Sequence, residues 1–326
     1  MIRPYIIAEV GTNHNGKLNT ALRFVKDVSK TGADAIKFQI ANPEEVFSKN
    51  SFLNYEKEIK KIKKRLLTYS DHLKIYNECK KLGIDYLCSA FDLKSLKFLI
   101  NNFNLKYLKI PSGEIRSYDI LHYISKTKHP VIISTGMTDF KELNTAIKLI
   151  KKKNNKINLL YCVSSYPAKK KEINLNNITE LKNKFKVKVG YSDHYPGIEA
   201  CVISSILGAN IIEKHVTFKR NAKGPDHKSS CTIKEFKKMV EKIKENTGFF
   251  SNKGGIFKHN SKFKLKVTKS IVANKNLTSN KIIKLSDIAF KRPGRGISPL
   301  DYRKIINKRL KKNINKNELI LLKNVK

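Results

Sequence analysis

The 326-residue chain contains no tryptophan, only three methionines, and 27 acidic residues against 67 basic ones. Its five cysteines (Cys79, Cys88, Cys162, Cys201 and Cys231) are odd in number, scattered, and never spaced Cys-x-x-Cys. That excludes a disulfide framework and a zinc ribbon, and leaves buried free thiols in a reducing compartment as the expectation. No apolar run approaches the roughly 20 residues of a membrane span; Val131–Ile133 is short, and Ile157–Val163 is broken by polar residues. The opening Met1-Ile2-Arg3-Pro4 leads into a run of strand length only, which argues against a cleaved secretory signal. A cytoplasmic protein with no membrane partner is expected. No Gly-x-Gly-x-x-Gly follows the first strand, which weakens the doubly wound open sheet as a fold.

What is abundant is lysine. The formal net charge of +40 suggests a nucleic-acid partner when taken alone. Only nine of the cations are arginine, the better bidentate reader of bases, and the lysines are spread along the whole chain among many Asn and Ile residues. Distribution, more than total charge, distinguishes a binding face from a solvated surface. The lysines therefore read as surface decoration, nucleic acid is not expected as a partner, and an anionic small substrate would still be attracted. Hydrophobic residues at 40% and charged residues at 29% fit a globular protein and not a disordered one.

Short β-branched runs alternate with longer amphipathic stretches. Strands are expected at Tyr5–Val10, Ala35–Gln39, Asp85–Ser89, Tyr107–Pro111, Val131–Thr135, Asn158–Val163, Lys188–Ser192 and Ile211–Val216. Helices are expected at Asn19–Thr31, Ser70–Leu82, Leu93–Asn101, Asp139–Lys152, Pro196–Leu207 and Ile233–Asn246. Such alternation signals parallel strands with helical crossovers, and about eight units in about 250 residues is the size of a (β/α)8 TIM barrel. The α/β barrel is assigned to residues 1–250, a linker to 251–268, where Gly254-Gly255 interrupts the periodicity, and a small β-rich domain to 269–326.

Nearly every expected strand ends in polar residues: Glu9; Lys37 and Gln39; Ser89 and Asp92; Lys109, Ser112 and Glu114; Ser134; Ser164 and Tyr166; Ser192 and His194; Glu213 and His215. The C-terminal ends of barrel strands converge on one mouth, and buried charges there are costly unless paired, liganded or wet. Lys37 and Lys109 sit between apolar strand residues, so their ammonium groups should enter the mouth to hold an anion. Ser112, Ser134 and Ser192 would add hydroxyl donors for phosphate oxygens. Each serine alone reads more readily as a cap or turn; their recurrence beside two lysines favours a phosphate pocket. The cluster Glu9, Asn13, His14 and Asn15 around Gly11 and Gly16 also reads as functional. His194 and His215 end successive strands, which brings two imidazoles together and suits Mn²⁺, Fe²⁺ or Zn²⁺. Asp226 and His227 follow the last strand and could join the rim.

These residues together resemble the N-acetylneuraminate (sialic acid) synthase family. The matching elements include Asn13-His14-Asn15-Gly16, Lys37-Phe38-Gln39, Phe91-Asp92, Lys109-Ile110-Pro111-Ser112-Gly113-Glu114 and Ser134-Thr135-Gly136-Met137. They continue through Tyr166-Pro167, Gly190-Tyr191-Ser192-Asp193-His194, Glu213-Lys214-His215 and Gly224-Pro225-Asp226-His227. The tail, Lys291-Arg292-Pro293-Gly294-x-Gly296-Ile297-Ser298-Pro299, resembles the antifreeze-like (SAF) domain of these synthases. The resemblance implies a TIM barrel with a C-terminal SAF domain, in a domain-swapped homodimer. It implies condensation of phosphoenolpyruvate with an N-acyl mannosamine-type amino sugar, with C–O cleavage. Phosphoenolpyruvate roles then fall on Lys37, Ser89, Lys109, Ser112, Ser134 and Ser192. Divalent metal ligation falls on His194 and His215, with Mn²⁺ first and Mg²⁺ or Co²⁺ as alternatives. Catalysis falls on Glu114, Glu9 and Lys109, with Glu114 the acid/base. Sugar recognition falls on Glu9, Tyr166, Asp226 and, from the other subunit, Arg292. Two stretches depart from the family pattern: Cys88-Ser89-Ala90 replaces Ser-Thr-Pro, and Ile40–Glu45 is atypical where the sugar is expected. The rivals are a synthase acting on a phosphorylated sugar and a basic, polyanion-binding SAF protein without turnover.

Overall fold

The computed structural model describes residues 3–151, 156–250 and 260–326, and they divide into two compact units, split between Ser251 and Asn252. The barrel of the first unit is built from eight strands: β1 (Tyr5–Gly11), β2 (Ala35–Ile40), β3 (Asp85–Ala90), β4 (Leu108–Ile110), β5 (Val131–Ser134), β6 (Ile157–Cys162), β7 (Lys188–Asp193) and β8 (Ile211–Thr217). They pair in sequence order, all parallel, and β1 closes on β8. This is the TIM barrel. A two-residue strand, β9 (Cys231–Thr232), extends the end of β8.

Period-two alternation explains both faces of the strands. Ile7, Ala35, Leu87, Ile132, Leu160 and Ile211 point inward and form a dry plug across the barrel. Their neighbours Ile6, Ala8, Ile36, Phe38, Leu108, Ile110, Val131 and Ile133 point outward and pack against the helices. Gly190 in β7 has a steric reason: a Cβ there would run into the Ile211 carbonyl oxygen of the next strand.

The helices are α1 (Leu18–Ser29), α2 (Pro43–Val46), α3 (Tyr55–Lys63), α4 (Tyr69–Leu82), α5 (Leu93–Asn102), α6 (Tyr118–Ser125), α7 (Phe140–Lys151), α8 (Asn177–Phe185), α9 (Glu199–Ile206) and α10 (Ile233–Gly248). Two of those anticipated from sequence have strong ends. A Thr68/Asp71 capping box opens α4 and left-handed Gly83 closes it, while Thr232 and Glu235 box the start of α10. The helices α2, α3, α6 and α8 were not anticipated. In α3 the apolar stripe is short, Tyr55, Ile59 and Ile62, and only Ile59 is fully buried; Asn54 caps the helix, and acidic first-turn and basic last-turn residues suit its dipole.

The second unit contains α11 (Ser261–Val267) and an antiparallel pair, β10 (Ser270–Ala273) with β11 (Ile288–Lys291). Part of the expected linker, 261–267, is thus helical, because Asn260 caps its first turn; residues 251–259 of that linker lie outside the described residues. The unit has its own apolar core, built on Ile271, Leu277, Ile283, Ile305, Leu310, Ile314 and Ile320.

One buried charge braces this unit. Asp287 is 2% exposed, accepts the Lys284 N–H at 2.9 Å, and lies 3.0 Å from Lys275 Nζ and 3.2 Å from Lys281 Nζ. Burial alone would raise its carboxyl; the Lys284 N–H and the two ammonium groups outweigh this and hold it below the usual range. A carboxyl lower in the fold than in the open chain stabilises above its unfolded value, about pH 4, and loses that contribution as pH falls through its folded value. Asp287→Asn is therefore expected to cost about 1–3 kcal/mol at pH 7 and progressively less in acid. Hydrogen exchange of β10 and β11 amides at pH 7 and at about pH 2, well below the unfolded value, checks this, and an equal loss at both would refute it.

Candidate active site

Above the apolar plug, the inward positions turn polar on almost every strand. Glu9, Lys37, Gln39, Ser89, Lys109, Ser134, Cys162, Ser192, Glu213 and His215 line one cavity, joined by Pro111, Ser112, Tyr166 and His194 just past the strand ends. The alternation that makes Ile7 and Leu87 inward also makes Glu9 and Ser89 inward two residues on. The enclosed space is about 50 Å³. A larger hollow of about 420 Å³ lies between α6 and α7, but its charges pair with each other in solvent, Arg116 with Glu142 at 2.7 Å.

Two ammonium and two carboxylate groups interlock in the cavity. Lys37 Nζ lies 2.8 Å from Glu9 Oε2 and 3.7 Å from Glu213 Oε2, and donates to Ser89 Oγ at 3.1 Å. Lys109 Nζ lies 3.2 Å from Glu213 Oε1, which also accepts from Ser192 Oγ at 3.1 Å. Gln39 Nε2 donates to Glu9 Oε1 at 2.9 Å. All four charged side chains are buried. Burial opposes the charge on each lysine. At Lys37, Glu213 and Glu9 overcome it and raise the pKa; at Lys109 burial and repulsion by Lys37 outweigh the attraction of Glu213 and, more weakly, Glu9, and the pKa is lowered. Burial pushes both carboxyls up. Lys109 and Lys37 nevertheless hold Glu213 down at about 2, whereas Glu9 is left at about 7.

The His194 and His215 ring centroids are 5.4 Å apart. Burial lowers both pKa values, His194 to about 4, so both rings are neutral at pH 7 and keep a lone pair. His194 Nδ1 donates to the Val163 carbonyl at 2.6 Å, which leaves Nε2 as the open nitrogen. His215 Nδ1 is buried without a hydrogen-bond partner, as is Ser134 Oγ. An orphaned imidazole nitrogen beside a second neutral imidazole fits a divalent cation. Among the described residues no third His, Cys, Asp or Glu completes a ligand set with them. A cation here would therefore take its remaining ligands from substrate or water.

Of the remaining sequence-derived candidates, Tyr166 lines the cavity, and Glu114, Asp226 and Arg292 are outside its lining. Glu114 sits in the turn Ser112–Glu114 after β4, outside the lining; it is half-buried, accepts from Ser117 Oγ, and burial raises its carboxyl pKa. Asp226 is also outside the lining. It accepts from Thr12 N at 3.1 Å and Thr12 Oγ1 at 3.0 Å across the left-handed Gly11, where a Cβ would come within 2.6 Å of Asp226 Oδ2 and 3.2 Å of His215 Cε1. Tyr166 places its ring 4.1 Å from that of His194. Arg292 belongs to the second unit, directly after β11.

Three functional readings from sequence are corrected. Asn13 does not face the cavity; it donates to the Val216 carbonyl at 2.8 Å and to Ser230 Oγ at 2.9 Å, bracing the turn. His14 accepts the Gly16 N–H at 3.0 Å in the same turn. His227 is not among the residues that line the cavity, and its Nδ1 pairs with Thr217 Oγ1 at 2.8 Å. Glu213 and Gln39, expected at the mouth from their strand ends but without a specific role, line the cavity, and Cys162, not expected there, joins them. Counting in twos from Ile211 along β8 puts Glu213 on the His215 face.

A closed parallel barrel with lysines, serines and neutral imidazoles converging at its C-terminal mouth defines a barrel enzyme built to handle an anion. Comparison with known proteins narrows this. Residues 24–253 match the NeuB family and residues 268–326 the SAF domain. The chain is 36% identical to N,N'-diacetyllegionaminic acid synthase of Campylobacter jejuni, over 98% of this chain and 99% of that one. It is 33% identical to a pseudaminic acid synthase of the same species, over 95% and 93% of the two chains. The crystal structure of N-acetylneuraminic acid (sialic acid) synthetase from Leptospira borgpetersenii in complex with citrate superimposes with a TM-score of 0.73 at 34% identity, covering 80% of this chain and 90% of that one. The chain belongs to the NeuB family, with a C-terminal SAF domain, and is an enzyme of the sialic acid synthase type.

Proposed function

We propose that this enzyme condenses phosphoenolpyruvate with an N-acyl mannosamine-type sugar, giving a sialic-acid-like nonulosonic acid and phosphate. The observation that carries the reading is the convergence of Lys37, Lys109, His194 and His215 on one cavity. The acceptors that fit best are N-acetylmannosamine and the diacetamido-trideoxyhexoses that lead to legionaminic or pseudaminic acid; the names of the relatives favour the latter pair. His194 and His215 would hold a divalent cation, Mn²⁺ first, with Mg²⁺ or Co²⁺ as alternatives. Such an ion supplies Lewis-acid polarisation of a carbonyl oxygen.

The chain's own residues do the rest. Lys37 and Lys109, with Ser89, Ser112, Ser134 and Ser192, bind the phosphate and carboxylate of phosphoenolpyruvate and set its enol carbon towards the sugar aldehyde. Carbon–carbon bond formation leaves an electron-poor carbon bearing the phosphate. Glu114, its carboxyl raised by burial, takes a proton from the water that adds there. Collapse of the adduct breaks the C–O bond and releases phosphate. Glu9, Tyr166 and Asp226 would hold the sugar, and Arg292 would be lent by the second subunit of a domain-swapped homodimer. Five buried free thiols suit a reducing cytoplasm.

Phosphate release from phosphoenolpyruvate with Mn²⁺ and a panel of N-acyl hexosamines, each free and phosphorylated, tests the reading. Turnover with an unphosphorylated N-acyl sugar is expected. A strict need for a phosphorylated acceptor would overturn it in favour of the phosphosugar synthase. No turnover, with tight and salt-sensitive polyanion binding, would favour the binding protein.

A further inference from the structure

Behind the two imidazoles, on the barrel's outer face, lies an ion pair that touches nothing in the cavity. Asp193 and Lys214 are register partners on β7 and β8, each the residue immediately before His194 and His215. Both side chains are 0% exposed, and Lys214 Nζ lies 2.7 Å from Asp193 Oδ2. The pair grips the turn that carries His194 from both sides: Asp193 Oδ1 accepts the Tyr195 N–H at 2.9 Å, and Lys214 Nζ donates to the Tyr195 carbonyl oxygen. Tyr191 Oη at 2.9 Å and Cys201 Sγ at 3.3 Å complete the donors to Asp193. One lysine thus clamps the His194 turn while its own backbone leads into His215.

A buried ion pair is a poor device for stability, because well-packed apolar residues serve as well or better; its best-attested use is to fix register. We propose that Asp193 and Lys214 are positioning residues that set the spacing and orientation of the His194 and His215 rings, and through them the affinity for a divalent cation. The inference rests on the cation site proposed above.

The test uses the full chain. Asp193→Asn with Lys214→Met removes both charges together, leaves no uncompensated ion, and keeps an acceptor for the Tyr195 N–H. Mn²⁺ binding to chelator-stripped protein should weaken by about 10- to 100-fold, the usual cost of losing a group that orients a metal ligand. Phosphoenolpyruvate binding without a cation should stay within about 2-fold of wild type, and the ¹⁵N resonances of His194 should shift. Unchanged Mn²⁺ affinity and His194 resonances would overturn the proposal. So would an equal loss of both affinities, which would mark general loosening. A wild-type protein that takes up no divalent cation sinks the cation site itself; displaced His194 resonances in the variant would then still support the positioning role, and unmoved ones would end it. Should the double variant not fold, Tyr191→Phe removes one donor to Asp193. It is expected to weaken Mn²⁺ binding by about 3-fold, on the scale of one hydrogen bond, and an unchanged affinity there also overturns the proposal.

Discussion

His215→Ala is expected to lower turnover by about 1,000-fold or more, to remove the response to added Mn²⁺, and to leave the folded barrel intact. The ring contributes no hydrogen bond that the fold needs, since His215 Nδ1 is without a partner and the ring faces the cavity with His194. Its removal therefore enlarges a polar cavity without breaking a network. Burial keeps the ring neutral at pH 7, so the lone pair it offers is lost outright in the variant. Lewis-acid stabilisation is worth several kcal/mol, and each 1.4 kcal/mol is tenfold in rate, which sets the size of the loss. Steady-state rates with and without Mn²⁺, beside a thermal melt, check the prediction. Activity that survives with an unchanged metal response would refute the ligand role.

Much of the barrel was legible because its strands are dictated locally. Each is a short β-branched run bounded by turn residues, and all eight expected strands agree with β1–β8 to within one or two residues at each end. The missed helices are those whose existence depends on context. The helices α3, α6 and α8 are nine, eight and nine residues long, short for a periodic signal to stand out, whereas α9, itself eight residues, lies within the longer apolar stretch Pro196–Leu207. At the site, polar strand ends identified the cavity, but polarity alone does not show which way a turn residue points. Asn13 and His14 look as functional as Glu9 in sequence, and only the path of the turn after Gly11 turns them to bracing contacts with Val216, Ser230 and Gly16. Lys214 shows the converse: it stands between Glu213 and His215 in sequence, yet the pleat sends it to the opposite face, where it pairs with Asp193.

The pleat also sets the charge balance that a substrate meets. Despite a chain charge of +40, the cavity sets its two lysines against two glutamates, Glu213 held ionised and Glu9 only partly so at pH 7. An entering phosphate ester must therefore share cations already engaged by Glu9 and Glu213, and the general excess of surface lysine does not substitute for them.

Lys109→Met follows from that balance. The methionine fills most of the lysine's volume but supplies no charge, leaving Glu213 with Lys37 at 3.7 Å and Ser192 at 3.1 Å. Truncating one member of a buried, hydrogen-bonded charge pair costs about 2–5 kcal/mol, so kcat/KM for phosphoenolpyruvate should fall by roughly 30- to 5,000-fold, with the sugar KM little changed. Part of that cost is the stranded carboxylate, not the lost substrate contact, and Glu213→Gln in the same chain separates the two. The double variant should recover the thermal stability lost in Lys109→Met, because no buried charge is left without its counter-ion. It should not recover phosphoenolpyruvate saturation, because the donor itself is gone. Melting curves and phosphoenolpyruvate saturation of the wild type, both single variants and the double variant check this. Recovery of near-wild-type KM in the double variant would show that Lys109 serves only to neutralise Glu213 and does not bind the substrate.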